Sequence, residues 1–419
     1  MTLQDLLQKT VEHNPEILNA KANLEQAEGR RLIFHSVALS DATIGLAGGV
    51  QGGHRAGEKR IQPFAFDYGN FTQPFFNLAV PPSWRRGNIE ILIAQQQLNV
   101  TVIDQLHAAR TAFYTALYNR DVAKLRQQQQ QRLQENVASQ ESRYQSGLAD
   151  RSAFVASEVQ TRELDPRIEA AQRAYEGALL QMSETIGQHF SRQIIEPSGS
   201  LSYVAVDFDI AKATTMALNR ADLQLARLLV CAANEDQRII EAAYYAAVNA
   251  TMSGEYIPVS GVRREQSEGS PRRSDDIISS EVRLGVVYTW RVVDNGKVSG
   301  AVAKQRAARE INELLLERME RDVPRDLSRI QNDLRAIATK QQALQGASSA
   351  AEQNAATVRQ NLEGGLASQL EFRLAENDLL EVKTELLTLV YQQSLALAEW
   401  DRATGRYLQF SDDTAQKVR

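Results

Sequence analysis

Arg143-Tyr144-Gln145-Ser146-Gly147-Leu148-Ala149 ends one long polar run of helical character, and Asn361-Leu362-Glu363-Gly364-Gly365-Leu366-Ala367 ends another, 218 positions later. The same offset brings Phe154 onto Phe372, Glu158 onto Glu376, Glu163 onto Glu381, Ala178-Leu179 onto Ala396-Leu397 and Gly187 onto Gly405. Upstream the offset shrinks: Gly87 falls on Gly296 at 209, and Glu16 and Ala20 fall on Asp222 and Ala226 at 206. Each match is weak alone, but their order is that of an ancient duplication. The chain then divides into a first repeat over residues 1–206, a second over 207–408 and a C-terminal tail, 409–419.

Both repeats follow one plan. A short helix opens each, near Leu3–Glu12 and Asp209–Leu218, and a longer one follows, Pro15–Val37 and Arg220–Tyr245. Two strand-like segments flank a polar loop. A very long helix then runs from about Arg85 to Ser146, or from Gly296 to Glu363, turns at glycine and returns to Gly187 or Gly405. The helix hairpins therefore span about 85–187 and 296–405. Glycine just beyond a periodic segment is the expected C-terminal stop, and Pro15 after Asn14 suits a first helical turn. Ala375, Leu379, Val382, Leu386, Leu389, Ala396 and Trp400 step by fours and threes, a heptad seam in which only Gln393 is out of place. Leu380, Leu387, Tyr391 and Ala398 form a second seam, and Val102, Leu106, Ala109, Phe113 and Ala116 repeat the rhythm in the first long helix. About 60 residues at 1.5 Å each make a rod of roughly 90 Å, too long for an ordinary globular core. Pro166 and Pro324 are expected to kink the rods they interrupt.

Four segments show period two instead, at about 42–52, 62–73, 247–259 and 280–292. Val282, Leu284, Val286, Tyr288 and Trp290 alternate with Arg283, Gly285, Val287, Thr289 and Arg291. Phe64, Phe66 and Tyr68 alternate with Ala65, Asp67 and Gly69; Val248, Ala250, Met252, Gly254 and Tyr256 alternate with polar residues; Ile44, Leu46 and Gly48 are the weakest set. About 10 residues per segment suffice to cross a bilayer obliquely. Phe71, Phe75, Phe76, Trp84, Tyr256 and Trp290 gather near the strand ends, as an interfacial girdle would. Four strands cannot close a membrane barrel, which needs at least about 8, and open edges are forbidden in lipid. Other copies of the chain must complete it. The alternative is a soluble structural coiled-coil protein carrying a small β insert. Gly52–Arg60 and Ser260–Ser279 read as polar loops joining the strand pairs, and Pro74, Pro81 and Pro82 turn the chain from strand to rod.

Composition excludes several classes. The 419 residues would suggest about three globular domains, but only 10 prolines favour long helices instead. No run of about 18 apolar residues offers a transmembrane helix. A net charge of −5 lacks the basic footprint of a nucleic-acid binder. Cys231 is alone, so no intrachain disulfide or cysteine zinc site forms. His13, His35, His54, His107 and His189 are scattered without metal-ligand spacing, and Gly45–Gly57 lacks the context of a phosphate loop. No catalytic, cofactor or metal residue is expected. Met1 leads into a polar amphipathic stretch rather than a signal peptide, so either the protein stays inside the cell or a signal has been removed.

Over about Leu3 to Leu408 the sequence resembles the TolC-like outer-membrane factors, trimeric efflux channels of Gram-negative bacteria. The resemblance rests on Asn14-Pro15-Glu16 with Ala20, Leu24 and Ala27, on the two Gly-Leu turns, and on the strand–strand–rod order. It implies a mainly α fold with a small β part. Antiparallel coiled-coil helices would form an α-helical barrel through the periplasm, and four strands per chain would join a 12-stranded transmembrane barrel in a homotrimer. It implies partnership with a periplasmic adaptor and an inner-membrane pump, contact with outer-membrane lipid, and passive conduction to the exterior, in efflux of small molecules or type I secretion. A channel for metal cations is a variant within the family. By the same resemblance Ser146, Gly147, Leu148, Gly364, Gly365 and Leu366 form the adaptor-contacting periplasmic tip. Asp150, Glu363, Glu371 and Glu376 are the candidate charges of an acidic ring in the lumen or its constriction. Ser368 and Gln369 in the second turn, the irregular Asn77–Trp84 segment, Pro166 and Pro324 depart from the family pattern.

Overall fold

The computed structural model describes residues 1–52, 61–147, 150–187, 195–206, 208–256 and 280–406. The loops expected at Gly52–Arg60 and Ser260–Ser279 lie almost wholly outside them, as do the tail and the end of the third expected strand. Eight α-helices and four strands alternate as expected among the described residues: α1 Leu3–His13, α2 Pro15–Ser36, β1 Asp41–Gly52, β2 Ile61–Phe76, α3 Val80–Gln145, α4 Arg151–Ile186, α5 Ile210–Ala217, α6 Ala221–Glu241, β3 Ala247–Tyr256, β4 Ser280–Thr289, α7 Lys297–Glu363 and α8 Gln369–Ala403. No described helix is long and apolar enough to cross a membrane.

The long helices α3 and α7 hold 66 and 67 residues. The first begins five residues before the expected Arg85, because Pro81 and Pro82 fit the first turn, where a helix needs no donor. The Asn77 side chain starts it by accepting from the Ala79 amide at 2.9 Å. Pro166 and Pro324 do not end their helices; α4 and α7 continue through both.

Contacts gather the chain into two units, each drawing on both repeats. One comprises Met1–Asn23, Gln95–Leu225 and Leu316–Arg419; the other comprises Leu24–Ala94 and Ala226–Leu315. In the first unit the expected α3 seam is the core: Val102, Leu106, Ala109, Phe113 and Ala116 are all buried, with Met182 and Ile186 of α4 and Leu6 of α1 beside them. The joints can be compared at the offsets read from the sequence. Asn14 accepts from the Glu16 and Ile17 amides, starting α2, and donates to the Thr185 carbonyl at 2.8 Å. Offsets of 206 and 218 carry these positions to Arg220 and Ala403, and Arg220 donates to the Ala403 carbonyl at 3.3 Å. A different side chain ties the same two places in each repeat.

In the second unit, β1-β2-β3-β4 form one antiparallel sheet in chain order, so β1 and β4 are edges without a partner strand among the described residues. The register places Ile44 opposite Gly69, Gly69 opposite Gly254, and Gly254 opposite Val282. That row and its neighbours set Ile44, Leu46, Phe71, Met252, Val282, Leu284 and Val286 on one face. Thr43, Asn70, Ser253 and Arg283 fall on the other. In β2 the aromatic phase is reversed: Phe66 and Tyr68 align with Ala47 and Gly45, on the polar face. The Tyr68 ring covers Gly45 so closely that a Cβ there would lie 2.3 Å from it, so any other residue at 45 would make the ring move aside. Trp84 and Trp290 donate their indole N–H to the His35 and Tyr244 carbonyls, at 3.3 and 3.2 Å.

Candidate functional site

The two hairpin turns are built differently. At the end of α7 the Leu366 amide donates to the Asn361 carbonyl at 2.7 Å and the Gly365 amide to Leu362 at 3.1 Å. These are the paired bonds of a Schellman stop, with Gly365 at φ 75° in the left-handed position. The usual apolar contact of such a stop is missing here: Leu366 is 83% exposed. Arg143, in the last turn of α3, donates to the Leu362 carbonyl at 2.6 Å and places a cation at the negative end of α7. Ser368 then starts α8 with a capping box: its hydroxyl accepts from the Glu371 amide and its amide donates to the Glu371 carboxylate at 2.7 Å. At the end of α3, Gly147 (φ 72°) donates to the Tyr144 carbonyl at 3.0 Å, and Tyr144 stacks on Phe154 of α4 with ring centroids 6.2 Å apart. Beneath the turns lie Leu133, Leu164, Ile168, Leu362 and Phe372, joining both hairpins.

The structure sorts the predicted residues. Ser146, Gly147, Gly364, Gly365 and Leu366 are all exposed; Leu148 lies outside the described residues. Asp150 caps α4 without a side-chain hydrogen bond, leaving its carboxylate exposed and unengaged. Glu363 is exposed and lies 3.6 Å from Arg359. The Glu371 carboxyl is held below the usual range, first by the Ser368 amide and then by its hydroxyl. Glu376 differs from the others: it is 2% exposed and pairs with Arg132 of α3 at 2.8 Å. Among the described residues, no group of three or more His, Cys, Asp or Glu is placed to hold a metal ion.

Residues 214–406 match the family model described as "Outer membrane efflux protein". The match falls within the second repeat of the chain. The α7–α8 turn lies inside the match, and the α3–α4 turn lies in the half outside it. The fold of the whole chain is that of outer-membrane channels. The CmeC outer membrane channel of Campylobacter jejuni superposes with a TM-score of 0.82 at 11% identity, over 96% of this chain and 85% of that one. CusC, described in terms of transmembrane channel formation, gives 0.81 at 12%, over 96% and 92%. The outer membrane protein VceC of Vibrio cholerae gives 0.78 at 15%, over 96% of each. No curated protein matches the sequence.

The turns also use residues to which sequence reasoning gave no role. Arg143 was visible only as part of a motif, and Asn136 and Gln369 exchange amide hydrogen bonds between α3 and α8 at 3.1 and 3.3 Å. Gly365→Ala is expected to destabilise the protein by about 1–2 kcal/mol, the cost of a left-handed backbone for a residue with a Cβ. Gly364→Ala should be close to neutral, since a Cβ there meets only ordinary contacts at 3.6 and 3.7 Å. Thermal melting of the two purified variants checks the difference; equal midpoints would refute it.

Proposed function

We propose that this chain is one protomer of a homotrimeric outer-membrane channel. Three copies of the sheet would close a 12-stranded barrel, and the helix hairpins would form a periplasmic tunnel. An inner-membrane pump and a periplasmic adaptor would supply cargo, which passes passively to the exterior. The observation that carries the reading is the sheet itself. Its two edges lack partner strands among the described residues, and its apolar face exposes Ile44 (92%), Leu46 (83%) and Leu284 (81%). Such a surface is unstable in water and unfinished in lipid, so closure with further copies meets both demands. A soluble coiled-coil protein with a β insert would leave the same face in water.

The exposed turn residues Ser146, Gly147, Gly364, Gly365 and Leu366 are the adaptor contact in this reading, with Leu366 as its apolar element. Asp150 and Glu363 are the charges free to face solvent there. Glu371 is occupied as a cap, and Glu376 acts as an internal strut. The test places Ile44→Cys on β1 and, in turn, Val282→Cys, Leu284→Cys or Val286→Cys on β4, in a Cys231→Ser background. Oxidation of detergent-purified protein should give, in at least one pairing, a ladder that stops at the trimer. A chain that stays monomeric without detergent and forms no crosslinked species in any pairing would sink the proposal.

A further inference from the structure

The arginines of α3 are accounted for one by one, with a single exception. Arg85 pairs with Glu235 and Arg86 with Asp236, both at 2.9 Å, Arg110 with Asp401 at 2.7 Å, Arg120 with Asp121 at 2.9 Å, Arg132 with Glu376 at 2.8 Å, and Arg143 with the Leu362 carbonyl at 2.6 Å. Arg126 has no carboxylate within ion-pair distance among the described residues. Half-buried, it opens instead into a cavity of about 470 Å³ between α3, α4, α7 and α8, at whose solvent-exposed rim Arg167 of α4 also lacks a carboxylate partner among the described residues. The third cation of the cavity, Lys340, has a partner, Glu385, at 3.7 Å.

We propose that this cavity binds a small oxyanion (a phosphate, sulfate or carboxylate group) between Arg126 and Arg167. Two unpaired guanidiniums in one concavity repel each other, and burial adds to the cost: the Arg126 charge is disfavoured first by desolvation and then by Arg167. An oxyanion removes both penalties and matches the planar donor fork of each arginine. Asn377 and Gln392 line the same cavity, and their side chains make no hydrogen bond among the described residues, so each has amide donors to offer. Thr384 and Thr388 do not compete, because their hydroxyls donate to the Leu380 and Thr384 carbonyls at 2.7 Å. Glu381 also lines the cavity, so its field is not uniformly positive. A single oxyanion group suits it better than an extended polyanion.

The test is titration of the full chain, purified in a phosphate-free detergent, with inorganic phosphate, sulfate and acetate, against chloride at matched ionic strength. Calorimetry and the thermal midpoint are read together. At least one oxyanion should bind saturably and raise the midpoint beyond chloride. Arg126→Gln and Arg167→Gln should each weaken it by roughly tenfold or more. Lys340→Gln, which loses only an exposed pair, should stay within about threefold. Without added anion, Arg167→Gln should melt no lower than the parent, since it relieves repulsion; a purely structural arginine would melt lower. Oxyanions indistinguishable from chloride, unchanged affinity in the Arg126→Gln, Arg167→Gln double variant, or a lower midpoint of anion-free Arg167→Gln would each overturn the proposal.

Discussion

Arg132→Met and Glu376→Leu are each expected to lower the thermal midpoint sharply, and to do so far less when combined. The pair joins α3 to α8 at 2.8 Å, with the carboxylate 2% exposed and the guanidinium 24% exposed. Removing one member strands the other charge away from water, at about 3–5 kcal/mol. Replacing both with apolar residues of similar volume removes the desolvation cost together with the attraction, which is often nearly neutral. Arg132→Met should be the worse single change, because the carboxylate left behind is the more deeply buried partner. Melting of the two single variants and the double variant closes a double-mutant cycle whose coupling measures the pair. The same cycle separates two roles for Glu376. As an open lumen charge, Glu376→Leu would alter ion selectivity and leave the midpoint alone. As a strut, it moves the midpoint. Additive single effects would contradict the strut.

Glu376 also marks where sequence reading stops. Its repeat counterpart Glu158 sits on α4, 40% exposed and paired within its own helix to Arg162. Nothing local distinguishes the two glutamates; what buries one is Arg132, 244 positions away. The same holds for Gln393, the one residue that broke the α8 seam. It is buried because its amide donates to the Val204 carbonyl at 2.6 Å and accepts from the Val204 amide at 3.1 Å, holding the segment between the repeats as a neighbouring strand would. A polar residue in an apolar rhythm is a signal, but its partner is invisible until the chain has folded.

The features legible in advance were those with a local physical cause. Glycine past a periodic run predicted the stops at Gly147, Gly187, Gly365 and Gly405, and all four adopt positive φ. Period two located all four strands. It set the faces correctly in β4, where Val282, Leu284 and Val286 share a face opposite Arg283 and Val287 is the one apolar residue out of phase. It did not do so in β2, where Phe66 and Tyr68 suggested the wrong face. Tyr68 is accommodated on the polar face because Gly45 across from it has no side chain, a cross-strand fact that β2 alone does not carry. The start of α3 was placed five residues late, because Pro81 and Pro82 were read as turning the chain from strand to rod and not as first-turn residues of the rod itself.

Trp400→Ala is expected to cost about 3–5 kcal/mol, comparable to breaking the Arg132–Glu376 pair but through lost packing. Trp400 is 2% exposed, near the end of α8. Its ring lies 4.3 Å from that of Phe208, and its cluster takes in Ala213 and Ala217 of α5, Leu223 of α6 and Val323, Leu327, Ile330 and Leu334 of α7. Four helices therefore share one side chain, and a cavity of indole size cannot close without moving rods that are held elsewhere along their length. Trp400→Phe keeps most of the volume and the aromatic contact with Phe208, and should recover more than half of the loss. Because α5 and the start of α6 are short elements with few other anchors, they should loosen first. Amide hydrogen exchange should rise across residues 210–225 in Trp400→Ala while the α3 core around Phe113 stays protected. Uniform exchange across both clusters, or a midpoint within a degree or so of the parent, would show that Trp400 does not hold this junction together.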